Sequence, residues 1–422
     1  MAESKKVPEL RFKGFTDDWE QRKLGDYIKD SGDRTSDFGK YPLYSLTIEN
    51  GVTPKTQRYE RGFLVTKEDD LFKIVEPGNF VTNPMNLRFG AVGYNKEPFP
   101  VSVSGYYDVF EIDENRCGGF WSSYFRSATG IKIFDDAATG SLIEKRRVHY
   151  SELKKIEFAV PQSVDERLNI GLFLASLDAL IDSHQQKYDK LLALKKSMLQ
   201  KLFPQNGATV PEIRLAGFTD PWEQRKLGDV FDFLQNNTLS RADLSMEAGA
   251  AKNIHYGDIL IKFGEYLDAS KENLPYIPSQ QMVDKFKGSL LQDGDIIMAD
   301  TAEDEAVGKC SEIAGLQGLP AISGLHTIPL RPMQKFASGY LGYYMNSGAY
   351  HNQLLPLMQG IKVTSISKGA IRATDIVFPA DIAEQHAIGQ FLNGLDNLIT
   401  LHQRKYEKLK QLKQSLLEKM FV

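Results

Sequence analysis

The sequence predicts an α+β chain with two globular mixed α/β domains, each followed by a long helix. Three observations predict it: two flanking segments occur twice, two long stretches free of proline carry a heptad pattern, and the segments between them contain short β-like runs. The predicted boundaries are 1–160 for the first domain, 161–204 for the first long helix, 205–378 for the second domain and 379–422 for the second long helix.

An internal repeat determines this architecture. Residues 7–26 read VPELRFKGFTDDWEQRKLGD and residues 210–229 read VPEIRLAGFTDPWEQRKLGD, so the last eight letters are identical. Residues 171–203 match residues 389–421 more loosely. The first shift is 203 (210 − 7) and the second is 218 (389 − 171), so the second intervening segment is 15 residues longer. A repeated frame around dissimilar segments suggests duplicated scaffolding that carries two different recognition surfaces.

Each long helix has a start signal and no internal proline. Ser163 or Asp165 can cap the first helix just after Pro161, and Pro379 and Asp381 have the same roles in the second. At about 1.5 Å per residue, such helices form rods roughly 60 Å long.

Both helices carry one apolar seam with alternating spacings of four and three residues. The first seam is Leu177, Ile181, His184, Tyr188, Leu191, Lys195 and Met198, and the second is Leu395, Ile399, His402, Tyr406, Leu409, Lys413 and Leu416. This is a coiled-coil pattern, and both seams are interrupted by His and then Lys, as in a pairing code. Duplicated halves related by a pseudo-two-fold axis would pair the helices as an antiparallel coiled coil. The alternatives are that each helix packs on its own domain or on another subunit.

The intervening segments favour short strands and long loops. The β-like runs are NFVTNP, VGYNK and YYDVFEI in the first segment, and GDILIKF, GDIIMAD and HTIPLRP in the second. Gly, Pro and aromatic residues separate them, which is typical of a mixed α/β domain.

Composition and charge narrow the class of protein. The net charge of −4 counts mildly against nucleic-acid binding, but affinity depends on a local Lys/Arg surface rather than on the total. Cys117 and Cys310 lie far apart without a CxxC pattern, so we expect neither a disulfide framework nor a structural zinc site. With no apolar run long enough to span a bilayer and no export signal, the expected location is the reducing cytoplasm.

A search for catalytic motifs finds no phosphate-binding loop, nucleophile elbow or HExxH pattern. Asn83-Pro84-Met85-Asn86 is a poor match to the Asn/Asp-Pro-Pro-aromatic motif of amino-methyltransferases, because it lacks the second proline and the aromatic residue. A nuclease metal site could be imagined from Asp295, Glu303, Glu305 and Lys309, although an acidic loop before a strand is the commoner meaning. The sequence therefore predicts neither a catalytic residue nor a metal site.

Polar loops with basic residues are the candidate DNA-binding features. Small residues allow backbone amides to approach phosphates, Lys and Arg neutralise them, and Arg or Asn can make bidentate contacts to base edges. The candidates are Lys145, Arg146 and Arg147 before the first long helix; Lys362, Thr364, Ser365 and Lys368 at the corresponding place in the second half; and Asn83, Asn86 and Arg88.

The chain resembles the specificity subunits of type I restriction–modification enzymes over essentially its whole length. The most specific element is a strand followed by Pro-x₄-Glu-Gln-x-x-Ile at the entry to a long helix, present as Pro379, Glu384, Gln385 and Ile388. The first copy has Arg167 in place of the glutamine. The WEQRKLGD segment before each domain is also similar to family members.

The resemblance implies two target-recognition domains that each read one half of a split, asymmetric double-stranded DNA sequence. The long helices would fix the spacing between half-sites and dock two methyltransferase subunits, and restriction/motor subunits would join that complex. The chain itself would be non-catalytic, because methyl donor, ATP and Mg²⁺ would bind the partner subunits.

Two other classes of function stay open at this point. A stand-alone DNA-modifying enzyme with degenerate motifs would cleave or methylate DNA without partners. A coiled-coil scaffold or carbohydrate-binding module unrelated to DNA would show no salt-dependent DNA affinity.

Overall fold

The computed structural model describes residues 7–55, 71–112, 117–142 and 146–422. The chain divides into two compact units: unit 1 comprises residues 1–185 and 404–422, and unit 2 comprises residues 186–403. Each unit therefore takes part of both long helices. The four-segment division expected from the sequence stays a prediction.

The described residues of unit 1 form four small antiparallel sheets. A four-stranded sheet has the order β2-β10-β7-β8, a three-stranded sheet has the order β3-β6-β9, and β4-β5 and β1-β11 are two-stranded ribbons. The strands are β1 (Glu20–Lys23), β2 (Ile28–Asp30), β3 (Arg34–Thr35), β4 (Tyr44–Thr47), β5 (Gly51–Pro54), β6 (Phe72–Val75), β7 (Phe80–Thr82), β8 (Val92–Tyr94), β9 (Val101–Val103), β10 (Asp108–Ile112) and β11 (Glu157–Val160).

The helices of unit 1 cover an aromatic core. They are α1 (Gly118–Phe125), α2 (Ala128–Ala137), α3 (Tyr150–Leu153), the first part of α4 (Val164–Lys201) and the last part of α10 (Ile382–Met420). Trp121, Tyr124 and Phe158 are fully buried in this core, and Phe421 stacks on Tyr124 with ring centroids 4.7 Å apart. Edge-to-face and stacked rings of this kind add specific geometry to apolar burial.

Unit 2 has a larger central sheet. Its five strands have the order β13-β21-β17-β19-β15, with only the β15–β19 pair parallel, beside a three-stranded sheet β16-β14-β20 and the ribbons β12-β23 and β18-β22. The strands are β12 (Glu223–Lys226), β13 (Phe231–Phe233), β14 (Ala251–Ile254), β15 (Tyr266–Asp268), β16 (Tyr276–Ile277), β17 (Ile296–Ala299), β18 (Thr301–Ala302), β19 (Cys310–Ala314), β20 (Ala321–Ser323), β21 (Thr327–Pro332), β22 (Thr364–Ser365) and β23 (Asp375–Phe378).

The helices of unit 2 pack on that sheet around buried tyrosines. They are α5 (Tyr256–Ile261), α6 (Gln280–Asp284), α7 (Tyr340–Asn346), α8 (Gly348–His351), α9 (Lys368–Arg372), the last part of α4 and the first part of α10 (Ile382–Met420). Tyr340, Tyr344 and Tyr350 are at most 1% exposed, and Phe203 packs edge-on against the first two.

Most of the predicted β-like runs contain strands, but GDILIKF does not. This segment forms α5, whose start is capped by the His255 ring, which accepts a hydrogen bond from the Gly257 amide at 3.1 Å. Ile259 is fully buried whereas Ile261 is 89% exposed. Residues two apart share a face in a strand but point to different sides of a helix, so a strand would have buried or exposed both.

The long helices lie within their predicted segments, three residues shorter at each start. Ser163 rather than Asp165 caps α4, because the Ser163 Oγ accepts a hydrogen bond from the Glu166 amide at 3.4 Å. Asp381 caps α10 through a 2.8 Å bond from the Ala383 amide to its carboxylate. Both caps satisfy amides that the first helical turn leaves without a partner.

The repeated segments build the same frame in both units. In unit 1, β1 pairs with β11 just before α4, and in unit 2, β12 pairs with β23 just before α10. The Arg11 guanidinium holds the buried Glu166 carboxylate at 2.6 and 2.8 Å, and the Trp19 indole approaches it at 3.4 Å. A bidentate pair of this kind is a strong, directional contact, and an acidic residue is favoured in the first turn of a helix.

The same three contacts recur in unit 2. Arg214 holds Glu384 at 2.8 Å through two nitrogens, and the Trp222 indole approaches the carboxylate at 3.3 Å. We call each Arg–Glu–Trp set a latch, because it ties the WEQRKLGD segment to the start of the long helix.

The one departure from the family pattern at the helix entry is accommodated by similar bonding. In unit 2, the Gln385 amide donates to the Pro379 carbonyl at 2.8 Å. In unit 1, an Arg167 nitrogen donates to the Pro161 carbonyl. The arginine therefore takes over the hydrogen bond that the glutamine makes.

The predicted seams are shielded along both helices. None of the fourteen predicted seam residues is exposed, while residues between them, such as Lys187 and Lys190, are exposed. In unit 1, Glu166 of α4 and Phe421 beyond α10 both contact Trp19, and Lys413 pairs with Asp178, so these two helical segments run in opposite directions.

Unit 2 shows the same opposite direction. Glu384 and Phe203 both contact Trp222, while the Lys195 ammonium lies 2.7 Å from the Asp396 carboxylate. The Lys195–Asp396 and Lys413–Asp178 pairs are related by the 218-residue repeat shift. A continuous coiled coil that joins these segments remains a proposal.

A close glycine contact in unit 1 leads to a first prediction. A Cβ on Gly171 in α4 would lie 2.6 Å from the Phe120 amide nitrogen and 3.1 Å from the Gly119 carbonyl carbon. Because both neighbours are backbone atoms, we expect Gly171→Ala to lower the free energy of unfolding by about 1–3 kcal/mol. Chemical denaturation followed by circular dichroism measures it.

Two matched glycines in α10 serve as controls. The repeat partner Gly389 would place its Cβ at 3.3 Å from its nearest neighbours, so Gly389→Ala should change stability little. Gly394 has no heavy atom within 4 Å of such a Cβ, so Gly394→Ala should stabilise by up to about 1 kcal/mol through helix propensity. Equal effects at Gly171 and Gly394 would contradict the clash.

The two cysteines lie in different units. Cys117 and Cys310 are both buried. Across the residues that the structure describes, no helix combines the length and apolarity needed to cross a bilayer. The cytoplasmic location stays a prediction.

Candidate nucleic-acid interface

The strand registers define which residues of the two units occupy matched positions. Ile28 and Phe231, which are 203 residues apart, lie opposite Ile112 and Pro332 in their sheets. Two residues earlier on those partner strands, Phe110 lies opposite Phe80, and Leu330 lies opposite Ile296. Phe80 therefore matches Ile296, and four residues further along Pro84 matches Asp300.

One backbone hydrogen bond in each unit supports the same matching independently of the strand registers. The Val148 amide donates to the Pro84 carbonyl at 3.0 Å in unit 1, and the Ile366 amide donates to the Asp300 carbonyl at 2.9 Å in unit 2. Arg147 therefore matches Ser365. The two loops that the sequence singles out as basic occupy equivalent places in the two units.

The turn after β7 carries the two candidate asparagines of unit 1. The Asn83 side-chain oxygen accepts the Met85 amide at 3.1 Å, and the Asn86 amide donates to the Asn83 carbonyl at 3.0 Å. This folds the turn on itself and leaves Asn86 and Met85 exposed, whereas Asn83 is half-buried. Asn86 is thus the more accessible of the two amide side chains.

The described residues 139–142 and 146–147 belong to the neighbouring loop. Thr139 and Arg147 close it through two backbone bonds of 2.9 and 3.0 Å. The Arg146 guanidinium donates to the Ala138 carbonyl at 2.7 Å and to the Asp135 carbonyl at 2.9 Å. Arg146 thus fastens the loop to the end of α2. Arg147 is half-buried, and Lys145 lies outside the described residues.

Arg88 is placed differently from what a base-reading role would suggest. Its side chain is only 11% exposed, its Nε lies 2.8 Å from the Asp135 carboxylate, and its guanidinium lies over the Phe89 ring. A base contact would require this ion pair to open, and such a contact stays a prediction.

The matching loop of unit 2 is closed by Gln359 and Ser365 through backbone bonds of 2.9 and 2.8 Å. The Lys362 side chain is exposed to solvent, and its neighbour Ile361 is 100% exposed. The Thr364 hydroxyl is turned inward and donates to the Asp304 carbonyl at 3.1 Å. The Lys362 side chain is therefore accessible to a ligand, whereas the Thr364 hydroxyl is already hydrogen-bonded within the loop.

Lys368 begins α9 immediately after that loop. Its ammonium donates to the Leu234 carbonyl at 3.0 Å, and burial lowers its pKa although the nearby Asp300 opposes this shift. Lys362 and Lys368 are the cations that the sequence predicts here, and both side chains are exposed.

An acidic turn lies against the unit 2 loop. Ala302 pairs with Thr364, and Glu303, Asp304 and Glu305 follow with exposed side chains. Such a turn repels phosphate, so any DNA contact here must be made by the neighbouring lysines or through base edges.

The imagined nuclease carboxylates do not converge. The buried Asp295 carboxylate is held by Arg331 at 2.7 and 3.0 Å, and the Lys309 ammonium donates to the Leu260 carbonyl at 2.9 Å. Within the described ranges, no group of three or more His, Cys, Asp or Glu residues could hold a metal ion. Asp295 therefore has a structural partner.

A polar concavity of about 360 Å³ opens between the two candidate regions of unit 1. The sequence reasoning missed most of its lining because these residues belong to no motif. Only Arg147 was singled out. The remaining lining includes Pro84, Tyr106, Asp108, His149 and Tyr150.

Comparison with known proteins shows which proteins this chain is similar to. Residues 219–411 match the family described as "Type I restriction modification DNA specificity domain". The chain is 22% identical to the type I restriction enzyme MjaVIII specificity subunit of Methanocaldococcus jannaschii, over 95% of this chain and 91% of that protein. The fold is similar to the crystal structure of a type I restriction–modification S subunit from M. genitalium, with 13% identity, 99% of both chains covered and a TM-score of 0.58.

The resemblance noted in the sequence is therefore confirmed. Residues 219–411 match the DNA specificity domain of this family, and over nearly its whole length the chain is similar to a type I restriction enzyme specificity subunit. That match lies in the second half of the chain. The first half carries the same latch, ribbon and long helix.

Proposed function

We propose that this chain is the DNA-recognising subunit of a type I restriction–modification complex, and that each unit reads one half of an asymmetric, bipartite target. One observation carries the proposal: the two units share one frame but place different residues at matched loop positions. Pro84 is matched by Asp300, and Arg147 by Ser365. Base-reading residues must differ if two half-sites differ.

We propose DNA contacts for the members of the predicted set that are exposed or that line the concavity of unit 1. Asn86 and Arg147 in unit 1, and Lys362 and Lys368 in unit 2, are positioned at matched loops of the two units. Arg146 and Thr364 would support the loops instead, through the backbone bonds that they make. Binding by such residues should fall steeply with salt, because phosphate contacts release counterions.

The long helices would act as the spacer between the half-sites. Two observations support an antiparallel coiled coil that fixes this spacing. The helical segments run in opposite directions within each unit, and the seam residues are shielded from solvent. A stiff spacer also makes binding of the two half-sites mutually reinforcing, since one bound domain raises the effective concentration of the other.

The outer faces of the helices support docking of two copies of one partner. The heptad position just before the seam carries Phe, Leu, Lys and Leu in both helices, and its apolar members are exposed by 38 to 51%. They are Phe173, Leu180 and Leu194 in α4, and Phe391, Leu398 and Leu412 in α10. Exposed apolar residues that recur in both copies fit two methyltransferase subunits bound in the same way.

We propose a division of labour with those partners. The chain would supply recognition only, while methyltransferase and restriction/motor subunits would carry methyl donor, ATP and Mg²⁺. The purified chain alone should then leave DNA unmodified. Mapping of methylated motifs in cells with and without the chain tests the proposal: a bipartite motif should disappear with it, and an unchanged set of motifs would contradict it.

The spacer role gives a separate prediction. Inserting one helical turn of four residues after Lys190 in α4 lengthens the rod by about 6 Å, which corresponds to roughly two base pairs at 3.4 Å each. The gap between the methylated half-sites should therefore change, while the half-site sequences stay the same. A four-residue insertion after the exposed Gly318 is the control and should leave the gap unaltered. An unaltered gap in the helix variant would remove the spacer role.

A further inference from the structure

We propose that Asp108 reads the exocyclic amino group of one cytosine or adenine in the half-site bound by unit 1. This inference rests on the proposed function, since it assumes that unit 1 faces DNA. The concavity that contains Asp108 lies between the turn after β7 and the loop closed by Arg147, and both of these carry candidate DNA contacts.

Asp108 has unused capacity to accept hydrogen bonds. Its carboxylate is 19% exposed, and the Lys73 ammonium, its ion-pair partner, lies 3.9 Å away, beyond hydrogen-bond distance. Lys73 is equally well shielded, so the pair is held inside the fold rather than in solvent. The carboxylate thus faces the concavity with acceptor positions available to a ligand.

Two hydroxyls beside Asp108 are also left without partners. Thr82 lies directly opposite Asp108 in the β7–β10 register. The Thr82 and Tyr150 oxygens are buried and make no hydrogen bond within the described parts of the chain. Buried polar groups are normally satisfied, and Tyr150 lines the concavity together with Asp108. Unsatisfied hydroxyls next to this carboxylate therefore suggest that a polar ligand completes them.

The charges around the carboxylate select the kind of ligand. The Lys73 ammonium and the His149 imidazole face Asp108, and Asp30 is the neighbouring anionic group. Burial outweighs the cations and raises the pKa of Asp108. A carboxylate repels phosphate, so this part of the surface fits a base edge rather than the DNA backbone.

Among base edges in the major groove, only amino groups donate to a carboxylate. These are the N4 amino group of cytosine and the N6 amino group of adenine. Arg147, which lines the same concavity, supplies donors for the acceptor atoms of the same or a neighbouring base. The site therefore combines one acceptor with one set of donors.

The matched residues of unit 2 explain why the reading is specific to one half-site. Ile328 stands where Asp108 does, and Ser365 stands where Arg147 does. An isoleucine side chain accepts no hydrogen bond, so unit 2 cannot recognise an amino group in this way. The difference falls on residues that line the concavity, while the surrounding frame is repeated.

The test uses the full chain assembled with its partner subunits and the Asp108→Asn variant. Because asparagine presents a donor as well as an acceptor, discrimination at one position of the first half-site should fall by about tenfold to a hundredfold in methylation-motif mapping. The second half-site should stay unchanged. Glu111→Gln, on the opposite face of β10, is the matched control and should alter neither half-site.

A second measurement changes the DNA and therefore does not rely on the Asp108→Asn variant. The unmodified complex is bound to target duplexes in which single cytosines or adenines lack their exocyclic amino group. Removal of the amino group at one position of the first half-site should lower the affinity of the unmodified complex for the duplex. The affinity of the Asp108→Ser complex should not change with the same removal. Sensitivity that persists in a folded Asp108 variant would overturn the inference. If cells that carry the unmodified chain and its partner subunits showed no bipartite methylated motif, the proposed function itself would be refuted.

Discussion

Replacing Glu384 by alanine is expected to lower the free energy of unfolding of unit 2 by about 3–5 kcal/mol. The side chain of Glu384 is 2% exposed, and it binds both the Arg214 guanidinium and the Trp222 indole. Its removal leaves a shielded arginine without its carboxylate and a buried indole N–H without an acceptor. Breaking a buried ion pair from one side is costly, because the remaining charge has lost its solvent as well as its partner.

Hydrogen exchange of the peptides that contain β12 and β23 measures this loss in unit 2. Glu223→Ala is the control, since the Glu223–Arg225 pair is exposed by 38 and 46% and should contribute less than about 1 kcal/mol. The repeat predicts that Glu166→Ala has the same effect on β1 and β11 of unit 1. A change at Glu384 no larger than the change at Glu223 would show that the latch does not hold the frame.

Replacing Lys195 by alanine should destabilise unit 2 by about 2–3 kcal/mol, somewhat less than the loss of a fully buried pair. Its ammonium lies 2.9 Å from the Glu265 carboxylate and 2.7 Å from that of Asp396. The Tyr343 hydroxyl donates to Asp396 at 2.7 Å and adds a neutral partner. Without the lysine, two carboxylates face each other in a poorly solvated place, and their repulsion adds to the loss of the contacts.

Lys413→Ala is the control that the repeat itself provides. Lys413 occupies the equivalent seam position but, among the residues that the structure describes, it pairs with Asp178 alone, and that carboxylate is 38% exposed. Its removal should cost no more than about 1 kcal/mol. Urea unfolding of both variants distinguishes the two sites. If both substitutions had the same effect, the seam lysines would act only through helix packing.

The frame is the part of this molecule that the sequence predicts well. The 203- and 218-residue shifts and the seam spacing indicate two similar units with long helices, and the strands and helices of the frame appear within those segments. Local patterns suffice here because an amphipathic helix needs only its own residues to define which face is apolar. The short run GDILIKF shows where this fails: a few apolar residues are compatible with either a strand or a helix, and burial decides between them.

The candidate site could be predicted only in part. The sequence places basic loops at corresponding positions, and the matched registers agree with that placement. It cannot distinguish Arg147 from its neighbours Arg88 and Arg146, which are bound to Asp135 and to backbone carbonyls near the end of α2. All three are arginines in polar loops. Which of them is accessible depends on the distant segments that fold against each one.

The sequence by itself determined the duplication, the resemblance to type I specificity subunits and the polar interruptions of the two seams. Only the tertiary structure decided that Glu166 and Glu384 are partners of arginines about 155 and 170 residues away, and that Asp108 lines a concavity with Arg147. The physical reason is that periodicity and capping act over a few residues, whereas ion pairing and burial depend on which distant segments meet. A repeat shows that a residue recurs in both copies, and only the fold shows what it contacts.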